Sequence, residues 1–229
     1  MVDGSLRGFG YQVPEVINRN SDQELIQQAY HRLSVRAGFP IPTINQFYAA
    51  GKQGFEAAKL CGLMPYDSFL EHGSDLFSSG WWFARYLEDD CYHAIEHDAT
   101  RMRLGKATIM RGMTTRAGGF QIAQGCKFDW FERKFDFVYS RATWTHVGRE
   151  RIKQYLDAFN AIANPGAVYL TAVKPTEEEG KLGRSFKVAG ARHNIPWIKS
   201  QAAFHGLEFK QLPLAAINEQ VWLSFKKPE

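Results

Sequence analysis

The sequence predicts an α/β domain: a mostly parallel, seven-stranded sheet with helices on both faces, closed by an antiparallel C-terminal strand pair. Three observations predict it. After Pro65, short apolar segments alternate with helix-length ones, the pattern of βαβ units around a parallel sheet. Ala167 to Val173 (AVYLTAV) is an uninterrupted apolar strand of the kind buried on both faces. Leu207 to Leu212 and Val221 to Phe225 read as two strands with no helix-length segment between them, which implies an antiparallel pair.

Taken in order, the first twenty residues hold Gly4, Gly8, Gly10 and Pro14 without periodicity and read as a loose arm. Leu25, Ile26, Ala29, Tyr30 and Leu33 repeat at helical spacing, as do Ile44, Phe47, Tyr48, Gly51, Phe55 and Ala58, with Gly38 and two prolines between the runs. Residues 1–65 are therefore expected to be an arm and helices packed on the core, a helical N-terminal extension, and residues 66–229 the α/β domain, in one domain overall. Phe69 to Glu71 is the first strand and Phe77 to Leu87 its helix. Tyr92 to Glu96, Phe120 to Ala123 and Phe135 to Tyr139 follow as strands. Ile152, Tyr155, Leu156, Phe159 and Ile162 then line one face of a helix, which Asn164-Pro165-Gly166 stops.

Composition narrows the function classes. With 229 residues, 45% hydrophobic and 14% aromatic, the chain can bury one substantial core. It has no run of eighteen apolar residues and no basic-then-apolar leader at Met1 to Ser5, so a cytoplasmic protein with no membrane partner is expected. Cys61, Cys91 and Cys126 are odd in number and widely spaced, which suggests small core residues and neither a disulfide framework nor zinc. The net charge of +4 is too small to imply nucleic acid by itself. Arg101, Arg103, Lys106, Arg111 and Arg116 cluster between Ala99 and Gly125 without an acid, but no aromatic stacking pattern is interleaved, and a solvated helix face and loop is the simpler reading.

Leu70-Glu71-His72-Gly73-Ser74-Asp75-Leu76-Phe77-Ser78-Ser79-Gly80 resembles the first motif of class I S-adenosylmethionine-dependent methyltransferases, a Rossmann-like family. There a strand ends in an acid, and a loop with glycines at fixed offsets turns into a helix. Tyr92 to Glu96, Phe128-Asp129-Trp130, Lys134 to Val138, Ser140 to Val147 and Asn164-Pro165-Gly166 extend the resemblance, in the family's order, over about Tyr48 to Lys227. It implies S-adenosylmethionine as cofactor, held by Glu71, Gly73, Asp75, Gly80 and Glu96, with Glu96 accepting from the ribose hydroxyls. His97, Phe128 and Ser140 are then expected near the cofactor, the first two beside the adenine. His146, past the fourth strand, is the expected proton acceptor. Arg192, His193 and Trp197 fall in a segment that often covers the substrate in relatives.

The motif departs from the family's pattern at Asp75, which replaces a glycine, and at Ser79, where many relatives have another. Glycine there permits positive φ and close approach of a ligand to the main chain. Aspartate is among the few other residues that tolerate a left-handed backbone, at a cost of about 1 kcal/mol. Its charge also discriminates between cofactors. A dinucleotide would bring a pyrophosphate to this helix N-terminus, and a carboxylate about 5 Å away would repel each unit charge by roughly 3 kcal/mol at an effective dielectric of 20. S-adenosylmethionine has no phosphate and carries a sulfonium and an ammonium. The expectation is a methyltransferase acting on a small molecule; the alternative is a non-catalytic methyltransferase-like module for binding or assembly. No metal site is expected, because His93 and His97 at i,i+4 on a strand do not form a ligand pair. Ser140-Arg141-Ala142-Thr143 stands where amino-directed base methylation would need Asn-Pro-Pro-Tyr, which disfavours a nucleic-acid substrate.

Overall fold

In a computed structural model, residues 44–114, 116–177, 190–215 and 218–229 are described. The chain divides into two units, Met1–Ile41 and Pro42–Glu229. The expected N-terminal arm and the helix around Leu25 to Leu33 lie outside the described residues.

In chain order the elements are α1 (Ile44–Leu60), β1 (Phe69–His72), α2 (Gly80–Tyr86), β2 (Tyr92–Glu96), α3 (Ala99–Ala107), β3 (Gly119–Ile122), β4 (Phe135–Ser140), α4 (Arg149–Ile162), β5 (Ala163–Pro175), β6 (Arg192–His193), α5 (Ile195–Phe204), β7 (Glu208–Gln211) and β8 (Val221–Lys226). The sheet runs β3-β2-β1-β4-β5-β8-β7, with the two-residue β6 beside the end of β5. Strands β1 to β5 are parallel, and β8 runs antiparallel to both β5 and β7. This is the Rossmann-like, mostly parallel architecture with an antiparallel C-terminal pair. Strand order reverses between β1 and β4, so the carboxyl ends of these neighbours flank the switch point where open α/β sheets bind ligands.

Alternation along the strands makes two apolar layers. Leu70, Ile95, Val138, Tyr169 and Leu223 join Ile152, Tyr155, Leu156 and Phe159 of α4 and Ile198 and Ala202 of α5 in one core. The opposite face carries an aromatic series in which Phe69 stacks on Phe137 at 5.6 Å and meets Phe83 of α2 at 4.2 Å, while Tyr139 stacks on Trp222 at 6.1 Å. Helix α1 docks on that side through small residues: a Cβ on Gly54 would fall 2.0 Å from the Tyr139 hydroxyl.

Two boundaries and one helix differ from the sequence reading. Helix α2 begins at Gly80 and not at Phe77, because Asp75 and Phe77 take φ of +51° and +62°, which no right-handed helix accommodates. Asn164-Pro165-Gly166 already belongs to β5, where the register jumps from Phe135↔Ala163 to Phe137↔Val168. The extra residues form a bulge around Gly166 (φ +76°), whose amide points to the Lys227 and Pro228 carbonyls. Helix α5 was not anticipated, yet Asn194 caps it by accepting from the Trp197 amide at 2.9 Å and Pro196 sits in its first turn. The three cysteines are free thiols, partly buried and not sealed in the core.

Candidate active site

The bend between Glu71 and Gly80 is built by three left-handed residues, Gly73 (φ +75°), Asp75 and Phe77. Its amides turn inward: Gly73 N–H donates to the Ile95 carbonyl at 2.8 Å, Asp75 N–H to Glu96 Oε2 at 2.6 Å, and Phe77 N–H to the Ser74 carbonyl at 2.7 Å. None of these three is directed at an incoming phosphate. Phe77 is fully buried, its ring so close to Gly105 of α3 that a Cβ there would fall 2.4 Å away, with Phe120 of β3 at 5.6 Å. A phenylalanine therefore holds an unfavourable backbone because its side chain fills the α3–β3 core. On the other flank a Cβ on Gly51 of α1 would lie 1.8 Å from the Ser78 carbonyl, so the helix rests directly on the loop.

Gly80 is needed for space. A Cβ there would meet the Tyr92 hydroxyl at 2.3 Å and Glu71 Oε2 at 2.8 Å. The Tyr92 hydroxyl donates to Glu71 Oε2 in a buried pair. Burial pushes the Glu71 carboxyl up to about 8, against the opposing Tyr92 bond and with Glu96 and Asp75 adding repulsion. The Tyr92 phenol is raised well above its ordinary range by the same burial and by Glu71.

Glu96 ends β2 and is buried. Besides the Asp75 amide, its carboxylate accepts from the His97 and Asp98 amides at 2.8 and 3.0 Å. Burial raises its pKa and the amide bonds from Asp98 and Asp75 oppose the rise. A carboxylate offers about four acceptor positions, so one remains. Asp75 does not cap α2, which follows Ser79 without a side-chain cap. Its carboxylate pairs with Arg101 of α3 at 3.0 Å and keeps 44% of its side-chain surface open. Burial raises its pKa, with Arg101 pulling the other way.

His97 Nδ1 donates to the Ala123 carbonyl at 2.8 Å, and its ring stands edge-on to His72 at 4.9 Å. Phe128 lies in the core against His72, Tyr155 and Tyr169. His72, which sequence reasoning did not single out, is fully buried, and neither ring nitrogen has a well-formed hydrogen bond. Burial lowers its pKa to about 3, helped by His97 and opposed by the nearby Gly125 backbone. Glu71, Gly73, Asp75, Gly80, Glu96 and His97 thus gather at the carboxyl ends of β1 and β2.

The remaining candidates are more dispersed. Ser140 is buried between β4 and β5, its hydroxyl 3.0 Å from the Tyr169 hydroxyl and 3.3 Å from Thr171 Oγ1. His146 is exposed at the end of a short 3-10 turn, Thr143–His146, after β4. Burial, then Arg101 and Lys174, lower its pKa, which favours the neutral imidazole. Arg192 is exposed and bound by Glu219 at 2.7 Å, while His193 is buried with Nε2 donating to the Trp144 carbonyl at 2.8 Å. Trp197 is half-buried beneath the Arg149 guanidinium at 4.7 Å.

Among the described residues no three His, Cys, Asp or Glu side chains are grouped to hold a metal, and no helix is long and apolar enough to cross a membrane. Four of the five basic residues after Ala99 are internally engaged: Arg101 pairs with Asp75, Arg116 with Asp89 at 2.6 Å, Arg103 bonds the Ala99 carbonyl at 3.0 Å, and Lys106 lies over Phe120 at 4.6 Å, while Arg111 is exposed.

No family model and no curated protein sequence matches the chain. Solved structures do. Magnesium protoporphyrin IX methyltransferase (ChlM) from Synechocystis PCC 6803 with bound SAM superposes with a TM-score of 0.62 at 10% identity, over 91% of this chain and 94% of that one. The glycopeptide N-methyltransferase MtfA complexed with sinefungin gives 0.60 at 12% identity, over 78% and 94%. A complex of DhpI with SAH gives 0.59 at 15% identity, over 92% and 97%. At these identities the likeness establishes a shared fold: the chain has the architecture of these methyltransferases over nearly its whole described length.

Proposed function

We propose that the chain is an S-adenosylmethionine-dependent methyltransferase acting on a small molecule. The observation that carries this reading is the charge around the bend after β1. Asp75 and Glu96 converge there beside Glu71, whose buried carboxyl keeps its proton up to about pH 8, and Arg101 is the one cation paired to these acids among the described residues. Such a site suits a ligand with positive groups and opposes a pyrophosphate, whose usual amide donors in the bend are already committed to β2 or to the bend itself. Glu96 retains an acceptor position for a ribose hydroxyl, and Asp75 offers an open carboxylate to an ammonium or sulfonium. Glu71, by holding Tyr92 and seating Gly80, keeps the loop and α2 in place.

When bound, S-adenosylmethionine supplies an electrophilic methyl carbon on sulfur. Catalysis then depends on aligning the acceptor with it, worth up to roughly 7 to 11 kcal/mol for well-oriented reactants. His146, held neutral at the carboxyl edge, takes the acceptor's proton where one must leave. Arg192, His193 and Trp197 lie on the acceptor side, His193 and Trp197 as supports beneath it. The cofactor titration is decisive: calorimetry with S-adenosylmethionine and S-adenosylhomocysteine should show saturable micromolar binding, and no heat at millimolar ligand removes the enzyme reading. One observation favours the non-catalytic alternative, namely that three main-chain amides already occupy Glu96. Transfer of labelled methyl to a small molecule in a lysate would exclude it.

A further inference from the structure

We infer that the methyl acceptor carries an oxyanion and that Arg141 binds it. The inference rests on the methyltransferase reading and adds a substrate class to it. Arg141 directly follows the last residue of β4, at the switch point of the sheet, and its carbonyl accepts from the Ala172 amide at 3.1 Å, which ties its backbone to β5. The backbone is therefore fixed while the side chain is uncommitted: Nε is buried and has no hydrogen-bond partner, and no carboxylate lies in ion-pair range among the described residues.

Most other arginines of this domain are engaged by charge or ring. Arg101, Arg116, Arg133 and Arg192 form ion pairs, and Arg85 and Arg149 lie over tryptophan rings; Arg101 also has a buried Nε without a partner, but its guanidinium is held by Asp75. Proteins rarely retain a buried polar donor without an acceptor, and a functional ligand is a standard reason for the exception. A guanidinium presents a planar fork of donors that matches a carboxylate or phosphate better than any neutral group.

The surroundings agree. His146, five residues further on, is exposed, and burial together with the positive charges of Arg101 and Lys174 lowers its pKa. The acids on this side are committed elsewhere, Glu150 to Lys153 at 3.0 Å and Glu219 to Lys174 and Arg192 at 3.4 and 2.7 Å. Burial raises the Tyr139 phenol above its ordinary range and the nearby Arg141 charge opposes that rise, and the Tyr139 hydroxyl is 3.0 Å from Ser79 in the bend after β1. A bound oxyanion is thereby placed next to the cationic donor's loop, where opposite charges assist the approach of the two reactants.

The test uses the full chain with 15N-labelled arginine, saturated with S-adenosylhomocysteine, and follows the Arg141 Nε–Hε signal, identified by its loss in Arg141→Lys. Benzoate, phenyl phosphate and neutral benzamide are titrated in turn. A saturable shift with benzoate or phenyl phosphate and none with benzamide is expected, the tighter of the two anions identifying carboxylate or phosphate as the source. Arg141→Gln should weaken that anion by about tenfold to a hundredfold, with S-adenosylhomocysteine binding reporting that the variant is folded. An unmoved Arg141 signal, an equal response to benzamide, or a loss below twofold in Arg141→Gln overturns the inference. Absence of S-adenosylhomocysteine binding in the parent chain would instead strike the methyltransferase reading, and the anion titration remains readable without it.

Discussion

The bend after β1 and the turn after β4 leave adjacent parallel strands at one edge of the sheet, yet they are made in opposite ways. In the bend nearly every group is spent: its amides bind β2 and the Ser74 carbonyl, Asp75 pairs with Arg101, Phe77 is sealed against Gly105, and α1 rests on Ser78. In the turn, Thr143, Trp144 and Thr145 anchor the chain through side-chain bonds to the His72 carbonyl, the Tyr169 hydroxyl and the Ala142 carbonyl. The Arg141 and His146 side chains, by contrast, make no hydrogen bond among the described residues, and the backbone beside them is tied by Ala172 N–H to the Arg141 carbonyl and Thr145 N–H to the Ala142 carbonyl at 3.1 Å each. The first is acidic and rigid, which suits the proposed cationic cofactor. The second is basic and loosely committed, the condition under which an acceptor pocket can vary while the fold does not.

The comparison breaks most visibly under crowding. Gly80→Val would drive a side chain into the Glu71–Tyr92 pair, where even a Cβ is 2.3 Å from the phenol oxygen. A loss of about 3 kcal/mol or more in urea unfolding is expected, since backbone and a buried pair must both move. Arg141→Gln should leave the urea midpoint unchanged or raise it, because it removes a buried donor that has no partner. Equal losses in the two variants would show that the two regions are not built differently.

Next in size is the proton on Glu71. Its folded pKa is raised to about 8, so the native state keeps a proton that the unfolded chain releases from about 4.5 upward. The stabilisation is full below 4.5 and is lost as pH rises toward 8. Measured against the parent, Glu71→Gln should therefore gain stability steadily from pH 5 to pH 8, by an amount on the order of a few kcal/mol, and level off above. His72 contributes an opposite slope, being held neutral and losing stability as pH falls from 6.5 toward 3, but this cancels in the comparison. A pH-independent difference would mean that Glu71 is ionised in the native state.

Asp75→Asn sharpens the electrostatic half of the comparison. Asparagine tolerates the same left-handed backbone, so the change removes charge with little change of shape. Affinity for S-adenosylmethionine should fall about tenfold, as for one lost interaction of roughly 1.4 kcal/mol with a cation, and affinity for S-adenosylhomocysteine, which lacks the sulfonium, should fall less. Equal losses would place Asp75 away from the sulfur.

Much of this architecture was legible in the sequence, and the reason is local. The Ala167 to Val173 run, the apolar face of α4 and the glycine-bounded bend each follow from residue type and spacing alone, as does the antiparallel C-terminal pair, whereas the strand order is known only from the fold. What escaped was tertiary. Phe77 adopts positive φ because Gly105 leaves a hole for its ring, and the partner lies 28 positions away. Ser140 faces Tyr169 and Thr171 because strand alternation points it into the β4–β5 layer, a direction that a motif position does not specify. Arg141 stood in plain view inside the quoted segment, but its one informative property, the lack of a partner, exists only after folding.

The smallest effect tests the basic side from its rim. Glu219 pairs with both Lys174 and Arg192, and those bonds hold its carboxyl below the usual range. It is fully exposed, so removing its charge should cost little stability. Glu219→Gln, however, frees two cations at the end of β5 and start of β6, which adds positive potential across a solvent-screened distance. Anion affinity at Arg141, read by the benzoate titration, should rise about twofold at 20 mM salt and return to the parent value near 0.5 M salt, as a screened long-range charge demands. An increase that persists at high salt would mean that Lys174 or Arg192 touches the oxyanion directly, and Arg141 would then share the acceptor with the segment after β5.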